Sequence, residues 1–336
     1  MLGLDVGGAH TDAALVRVRD GELEVEKTKR EYLPMWKRWG RRRLHRFVKR
    51  VVSRYRPDLI GLTMSGELAD VFETRREGVE YIVDLVASSA RVPVRVVTSS
   101  GDAIEPEECL DAWREVASAN WRATAELLSE LHQGSYLFSD LGSTTLDLIP
   151  IVDGEVRAKG RTDLERLRAG ELVYLGALRT PIGFLLREVE IDGSVVPVSY
   201  EYFSIIADAL VLLELISEDE YTPETPDGRG KSPEDCARRL ARVVCSDLEE
   251  LGWDGVMQVA RSAYRVLMGR LLKHLKFKLR EYDLDRVVGA GAGEFLLRSA
   301  CNRLGVEFES FDDVFGAGSE VAPAVGAAYL AYRRRD

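Results

Sequence analysis

Short apolar runs alternate along the chain with longer stretches of helical spacing. The first runs predict strands at residues 2–6 and 13–18, and a third at 25–28 after the turn Asp20-Gly21. No helical pattern separates these strands, whereas a dinucleotide-binding fold places a helix after its first strand. The pattern therefore predicts an antiparallel meander of three strands.

Helices and strands then alternate up to residue 132. From Leu44, apolar residues recur at 44, 47, 48, 51, 52 and 55, which is the spacing of an amphipathic helix that Pro57 ends. The other elements predicted here are strands at 59–64 and 94–98, a helix at 78–90 and two helices over 105–132.

The plan restarts near Tyr136. The elements predicted after it are strands at 136–139, 148–152, 156–159 and 287–288, a hairpin turn at Asp153-Gly154, and helices over 200–217, 232–252, 254–281, 294–304 and 322–333. This repetition predicts an α/β fold of two related domains, residues 1–134 and 135–336. The second domain contains a helical insertion at about 200–282.

Charge and hydropathy exclude two classes of partner. The formal net charge is −10, which argues against general nucleic-acid binding, because that binding depends on surplus Lys and Arg. No apolar run approaches the roughly 20 residues that cross a bilayer. The opening residues do not resemble a signal peptide, so we expect a cytoplasmic protein without membrane partners. A homodimer is compatible with the sequence, which does not determine the oligomeric state.

The first candidate site is the turn within Leu4-Asp-Val-Gly-Gly-Ala-His-Thr11. Gly7 and Gly8 allow the backbone to approach a ligand, and successive N–H groups in such a turn bind anions. Thr11 adds a hydroxyl group, and Asp5 can hold the water shell of Mg²⁺. Among the four histidines, His10 alone lies in a candidate site. An ordinary Gly-Gly hairpin with a buried Asp is the alternative.

The second candidate site, Asp140-Leu-Gly-Ser-Thr-Thr-Leu-Asp147, has a similar order of residue types. Two such turns facing each other would hold a diphosphate or triphosphate, with Mg²⁺ between Asp5 and Asp140. The predicted phosphate-binding residues of this turn are Gly142, Ser143, Thr144 and Thr145.

Three weaker motifs keep two interpretations each. Gly289-Ala-Gly-Ala-Gly293 either approaches a nucleotide through Gly291 and Gly293 or packs a helix closely on a strand. Glu67 follows a strand and is either a general base or part of a helix cap. In Asp227-Gly-Arg229, the arginine either clamps phosphate or is solvated in a plain turn.

A basic stretch lies between Trp36 and Pro57, with ten Lys or Arg and no acidic residue. It is either the solvated face of the amphipathic helix or a region where Lys37, Arg38 or residues 41–43 attract a polyanionic substrate.

Seven segments together resemble the hydantoinase-A-like branch of the actin and sugar-kinase superfamily, in particular proteins linked to tetrahydromethanopterin C1 metabolism. They are residues 3–11, 62–70, 119–121, 140–150, 170–174, 226–229 and 237–242. The resemblance implies duplicated, ribonuclease-H-like domains around a central cleft. It also places Asn120, Trp121 and Asp227 in the substrate or nucleotide pocket.

The same resemblance implies a transferase of methanofuran biosynthesis. Its small-molecule substrates are a furfuryl diphosphate, 5-(aminomethyl)-3-furanmethanol diphosphate, and γ-glutamyltyramine. The products are an aryl ether and pyrophosphate. The residues themselves predict Mg²⁺ as cofactor and Glu67 as the candidate base for this reaction. The alternatives are an ATP-dependent small-molecule kinase, a hydantoinase-like hydrolase and a nucleotide-sensing regulator.

The chain departs from this family's pattern at three positions. Relatives often have Asn where His10 stands, Lys where Asp12 stands and Thr where Ser65 stands. An acid in place of a lysine removes a cation from the first turn, and the basic stretch after Trp36 is one candidate to replace it.

Overall fold

The computed structural model describes residues 1–19 and 22–333. The first sheet has the order β3-β2-β1-β4-β5-β6. Its strands are β1 (Leu2–Val6), β2 (His10–Arg19), β3 (Glu22–Tyr32), β4 (Ile60–Met64), β5 (Val94–Val97) and β6 (Ala103–Ile104). The pairs β1–β2 and β2–β3 are antiparallel, while β1–β4 and β4–β5 are parallel. The predicted meander is confirmed, and the predicted turn Asp20-Gly21 lies outside the described residues.

The second sheet repeats this plan. Its strands are β7 (Tyr136–Leu141), β8 (Leu146–Val152), β9 (Glu155–Val156), β10 (Leu172–Val173), β13 (Arg286–Ala290) and β14 (Glu307–Ser310). Strands β7 and β8 are antiparallel, β7–β13 and β13–β14 are parallel, and β9 and β10 pair with opposite ends of β8. The strand order therefore confirms the predicted duplication and the predicted fold class. A separate hairpin consists of β11 (Glu188–Ile191) and β12 (Ser194–Pro197).

Helices connect the strands and cover the sheets. In the first half they are α1 (Gly40–Tyr55), α2 (Arg75–Ser89), α3 (Trp113–Val116) and α4 (Asn120–Leu131). In the second half they are α5 (Asp163–Ala169), α6 (Ile182–Leu185), α7 (Ile206–Leu212), α8 (Pro233–Arg242), α9 (Leu248–Glu281), α10 (Glu294–Leu304), α11 (Phe311–Phe315) and α12 (Ala322–Arg333). Short 3₁₀ turns occupy Pro106–Glu108 and Ser319–Val321. Among the described residues, no helix is both long enough and apolar enough to cross a membrane.

Two predicted helical regions are less regular than the sequence indicates. Residues 105–132 contain a 3₁₀ turn and α3 before α4, instead of two helices. Only α7 forms within the predicted helix at 200–217. The predictions for α10 and α12 agree with the structure at both ends.

Helix α12 packs against the first sheet although it follows the second in sequence. A Cβ atom on Gly3 would lie 1.7 Å from the Ala324 carbonyl oxygen, and one on Gly61 would lie 1.9 Å from that of Ala327. Side chains of α4 and α12 share a buried cluster with β2, β7, β8 and β13. The two sheets are thus joined by common helices, and the domain boundary at 134/135 stays a prediction.

Candidate functional site

A cavity of about 440 Å³ lies where the two glycine-rich turns meet. It includes most of the predicted site residues, namely Asp5, Gly7, Gly8, Asn120, Asp140, Gly142, Ser143, Thr144, Thr145 and Gly291. It also includes residues for which the sequence predicted no role in a site, among them Arg30, Asp163, Arg166 and Arg179.

The first turn is held by backbone hydrogen bonds. The Gly7 N–H donates to the His10 carbonyl over 2.9 Å, and the Gly8 carbonyl accepts from the Met35 N–H over 2.9 Å. Side chains alternate along β2, so Asp12 lines the cavity while Thr11 is fully buried on the other face. The Thr11 hydroxyl group, which was predicted to belong to this site, therefore does not line the cavity.

The second turn has the same form. The Gly142 N–H donates to the Thr145 carbonyl over 2.9 Å, and the Ser143 carbonyl accepts from the Arg179 N–H over 2.8 Å. A Cβ on Gly291 would lie 2.3 Å from the Asp140 Oδ1 atom, and its φ is +93°. Glycine at position 291 therefore leaves the space that the Asp140 carboxylate occupies.

Each half of the duplicated fold contributes a facing pair of aspartates. Asp5 pairs with Asp12 across β1 and β2, and Asp140 pairs with Asp147 across β7 and β8. Directly opposite residues on antiparallel strands have Cβ atoms about 5 Å apart and on one face. All four of these aspartates line the cavity.

Crowding and burial raise the pKa of these carboxyl groups. Burial raises the pKa of Asp5 well above its usual range, and Asp12 and Asp140 add to the effect. Burial likewise raises the pKa of Asp12 to about 7, against the Arg30 charge that lowers it. For Asp140, burial and then Asp147 raise the pKa to about 7.

The site has features that suit a divalent cation. The Oδ1 atoms of Asp5 and Asp12 are buried without a hydrogen-bond partner. In the described part of the chain, no three His, Cys, Asp or Glu side chains converge as a ready metal cage. Mg²⁺ requires no such cage, because it keeps several waters and takes one or two carboxylates together with phosphate oxygens.

Three arginines line the cavity. The Arg30 Nη1 atom donates to the Glu320 carbonyl over 2.9 Å, and its Nε lies 3.6 Å from the Asp12 carboxylate. The buried Arg166 donates to Asp147 over 2.7 Å. Arg30 pairs with Asp12 across β2 and β3, so a longer third strand would have revealed it. No motif marks Arg166 or Arg179.

Glu67 is fully buried and lies behind the cavity wall. Its Oε1 atom accepts from Arg75 over 2.7 Å and from the Ser118 hydroxyl over 2.8 Å. Arg75 also donates to the Asp163 carboxylate over 2.9 Å, and the Ser118 Oγ atom lies 2.9 Å from the same carboxylate, so its one proton can serve either acid. Asp163 lines the cavity, whereas Glu67 is not among its described lining residues. The role of Glu67 as a base stays a prediction.

His10 is buried at the cavity wall with its ring 5.3 Å from that of Tyr32. Burial, and then the charges of Arg30 and Arg179, lower the pKa of His10 to about 3. The imidazole is therefore neutral near pH 7 and supplies no positive charge to the first turn.

Two predicted pocket residues have packing roles in the structure. Trp121 is buried in the cluster between the sheets, and the Arg166 guanidinium lies 4.3 Å from its ring centroid. A Cβ on Gly293 would lie 2.5 Å from the Leu141 side chain. That close contact favours the helix-packing interpretation of Gly293.

The residues of the loop around Asp227, all of which the structure describes, do not line the cavity. Asp227 accepts from the fully buried Arg239 over 3.1 Å, and Arg239 is paired with the buried Asp208 over 2.7 Å. Arg229 is exposed. The structure thus gives Asp227 a structural contact and does not bring Arg229 to the cavity.

The basic stretch is mostly the solvated face of α1. Residues 41–43 are exposed, and the Arg41 guanidinium lies 5.5 Å from the Tyr81 ring centroid. Lys37 is paired with Glu224 over 2.8 Å. Within this stretch, Trp36 is the only described residue that lines the cavity.

Comparisons with known proteins cover the chain from end to end. The hydantoinase/oxoprolinase family matches residues 58–334. The chain is 36% identical to the (4-{4-[2-(gamma-L-glutamylamino)ethyl]phenoxymethyl}furan-2-yl)methanamine synthase of Methanocaldococcus jannaschii, over 100% of this chain and 98% of that protein. It is 38% identical to the synthase of the same name from Methanococcus vannielii, over 54% of this chain and 81% of that protein.

Solved structures show the same fold at low sequence identity. A nucleotide-free acetone carboxylase matches with a TM-score of 0.59 and 11% identity, over 97% of this chain and 69% of that chain. A ROK family glucokinase from Streptomyces griseus, in complex with glucose and AMPPNP, matches with a TM-score of 0.50 and 15% identity, over 99% of both chains.

Proposed function

The chain belongs to the hydantoinase/oxoprolinase family, and from that premise we propose that it joins a furfuryl diphosphate to a phenol and releases pyrophosphate. The proposed substrates are 5-(aminomethyl)-3-furanmethanol diphosphate and γ-glutamyltyramine. Their ether is the compound in the name of the Methanocaldococcus jannaschii synthase, with which this chain aligns over its full length.

The observation that carries the proposal is the meeting of two glycine-rich turns and two aspartate pairs at one cavity. In this reaction the bond between the furfuryl carbon and diphosphate breaks, and its electron pair stays on the diphosphate oxygen. Oriented N–H groups around that oxygen stabilise the charge as it develops. The cavity wall therefore suits an anionic leaving group.

Asp5 and Asp140 are the proposed holders of Mg²⁺, since both line the cavity and the Asp5 Oδ1 atom lacks a hydrogen-bond partner. A bound Mg²⁺ supplies positive charge that neutralises a diphosphate as it departs. The two glycine-rich turns are the proposed contacts for the same anion from the protein side.

The phenol must lose its proton, because an unperturbed phenol has a pKa of about 10. Asp163 is better placed than Glu67 to accept this proton, since it lines the cavity while Glu67 is buried behind it. Arg75 and Ser118 bind both carboxylates and hold Asp163 in position. The proposed base is therefore Asp163, with Glu67 orienting Arg75.

An assay of the full chain tests the function directly. Purified protein is incubated with Mg²⁺ and both proposed substrates, and ether and pyrophosphate are measured by mass spectrometry and a coupled assay. We expect both products in equal amounts, with none when either substrate is omitted. Rapid ATP hydrolysis without ether would instead support a kinase or hydrolase of the same fold.

Asp140→Asn tests the assignment of the metal site. We expect ether formation to fall by about 100-fold or more, since a group that holds the charge of the leaving anion is removed. Asp219→Asn, at an exposed carboxylate distant in sequence from both turns, is the matched control and should keep the wild-type rate. A near wild-type rate in Asp140→Asn would show that the metal assignment is wrong.

A further inference from the structure

Arg179 differs from the other two cavity arginines in its charge environment. Arg30 lies near Asp12 at 3.6 Å, and Arg166 is paired with Asp147 at 2.7 Å. Arg179 forms no ion pair with a carboxylate in the described ranges, residues 1–19 and 22–333. No described carboxylate therefore neutralises the Arg179 charge by direct contact, although the side chain is half-buried.

Neutral contacts hold the Arg179 side chain at the second turn. Its Nη1 atom donates to the Thr144 hydroxyl over 3.2 Å, and its guanidinium lies 4.9 Å from the centroid of the Trp36 ring. An aromatic face attracts a guanidinium and fixes its plane without neutralising its charge. The remaining N–H groups of Arg179 are thus available to an anion in the cavity.

The position of Arg179 separates it from the aspartate end of the site. The Arg30 Nε atom lies 3.6 Å from the Asp12 carboxylate, whereas the Arg179 guanidinium contacts the Thr144 hydroxyl in the second turn and has no carboxylate partner among the described residues. A diphosphate has two phosphoryl groups, so one can lie near the aspartates while the other lies near Arg179. The guanidinium fork binds phosphate oxygens in pairs, which a single ammonium does not.

We propose that Arg179 is a catalytic residue that binds the outer phosphoryl group of the diphosphate and stabilises pyrophosphate as it leaves. This inference rests on the proposed function. As the phenol oxygen bonds to the furfuryl carbon, the carbon–oxygen bond to diphosphate breaks, and the electron pair adds negative charge that Arg179 shares. The phenol proton goes to the base and takes no part in this contact.

Trp36 is a positioning residue in this proposal. It lies between β3 and α1 in the first half of the fold, whereas Arg179 and Thr144 belong to the second half. The contact between Trp36 and Arg179 therefore joins residues from both halves of the fold.

Three variants of the full chain test the proposal. Arg179→Gln removes the charge, Arg179→Lys keeps it without the fork, and Arg168→Gln is the control at an exposed arginine of α5. Calorimetry with magnesium pyrophosphate gives the affinity for the leaving group, and steady-state assays give kcat and KM. Circular dichroism verifies that each variant is folded.

We expect Arg179→Gln to bind pyrophosphate about 10-fold or more weakly and to lose about 100-fold in kcat, as when an anion-stabilising donor is removed. Arg179→Lys should recover part of the affinity and less of kcat. Arg168→Gln should match the wild type. Trp36→Leu should raise KM for the furfuryl diphosphate more than it lowers kcat, because it displaces the guanidinium without removing it.

The outcomes separate this inference from the proposed function. If the wild type forms ether while folded Arg179→Gln keeps its pyrophosphate affinity and kcat, the assignment of Arg179 is overturned alone. A raised KM for the glutamyl substrate with unchanged pyrophosphate affinity would also overturn it, since Arg179 would then bind a carboxylate. If the wild type neither binds pyrophosphate nor forms ether, the proposed function fails and the inference fails with it.

Discussion

Asp5, Asp12 and Asp140 hold their carboxyl groups close together in a buried place, at a cost to the fold when all are charged. Each has a raised pKa, which means that the folded state prefers the protonated form. A cation between the carboxylates reverses that preference, because metal ligands bind in their deprotonated form. These buried aspartates, two of which are the proposed holders of Mg²⁺, thus also make stability depend on pH and on divalent cations.

Asp12 makes the folded protein less stable as the pH rises. Its pKa is about 7 in the folded protein against an ordinary value of 3.8. The resulting stabilisation is complete below about pH 4 and is lost as pH rises through 7. We expect the free energy of unfolding, measured by urea denaturation in a metal chelator, to gain a downward contribution over this window.

Asp12→Asn is the test, because an amide does not titrate. Its unfolding free energy should fall less between pH 4 and 7 than that of the wild type, while the control Asp219→Asn follows the wild type. Added Mg²⁺ should stabilise the wild type most at pH 8. Equal pH profiles for wild type and Asp12→Asn would contradict the raised pKa.

At the residue scale, the sequence identifies the residues whose types repeat in a motif. Asp5 and Asp140 are recognisable because the glycines that follow them occur in both halves. Arg179 is not, because it reaches the site only through the packing of the second turn, where its N–H donates to Ser143. Its side chain direction depends on Trp36 in the other half, a contact that no local pattern encodes.

Helix α12 shows how one element depends on the absence of side chains in another. It approaches β1 and β4 so closely that Gly3 and Gly61 leave no space for a methyl group against its backbone. The glycines in these strands therefore serve helix–sheet contact, where an added atom displaces backbone carbonyls and not a flexible side chain.

Gly61→Ala is expected to destabilise the fold by about 1–3 kcal/mol or more, because overpacking forces the helix off the sheet. The matched control is Gly269→Ala in α9, where a Cβ atom meets nothing within 4 Å. That substitution should be neutral or stabilise by roughly 0.5–1 kcal/mol, since glycine disfavours helix interiors. Urea denaturation of both variants measures the difference, and equal stabilities would contradict the close contact.

The elements predicted most accurately are those whose secondary structure is determined by their own sequence. Helix α10 has regular apolar spacing and ends at Gly305, which adopts the left-handed conformation at a helix end. Four short elements were not predicted from the sequence, namely α6, β11, β12 and β14. Each of them is four residues long. Segments of this length form where tertiary contacts place them, so local propensity decides little.

At the scale of the whole molecule, the two sheets share their helices. Helices α4 and α12 contribute to one buried cluster with strands from both sheets. Neither half can lose its structure without exposing apolar surface of the other. The duplicated plan therefore predicts two related units, but the cluster predicts that they unfold together.

We expect a single unfolding transition despite the duplicated fold. Far-ultraviolet circular dichroism and tryptophan fluorescence should give the same midpoint in urea, as for a two-state protein. Trp253 in α9 reports on the second half, and Trp121 reports on the shared cluster. Two separated transitions, or different midpoints for the two probes, would show that the sheets unfold independently.

The position of α12 also affects the time course of synthesis. The first sheet is complete at Ile104, but the helix that packs on it begins only at Ala322, more than 200 residues later. At about 5–20 residues per second, the ribosome takes roughly 10–40 s to deliver that helix. During this interval the apolar face beside Gly3 and Gly61 has no permanent cover, so a nascent chain is a natural client for chaperones until its last turns emerge.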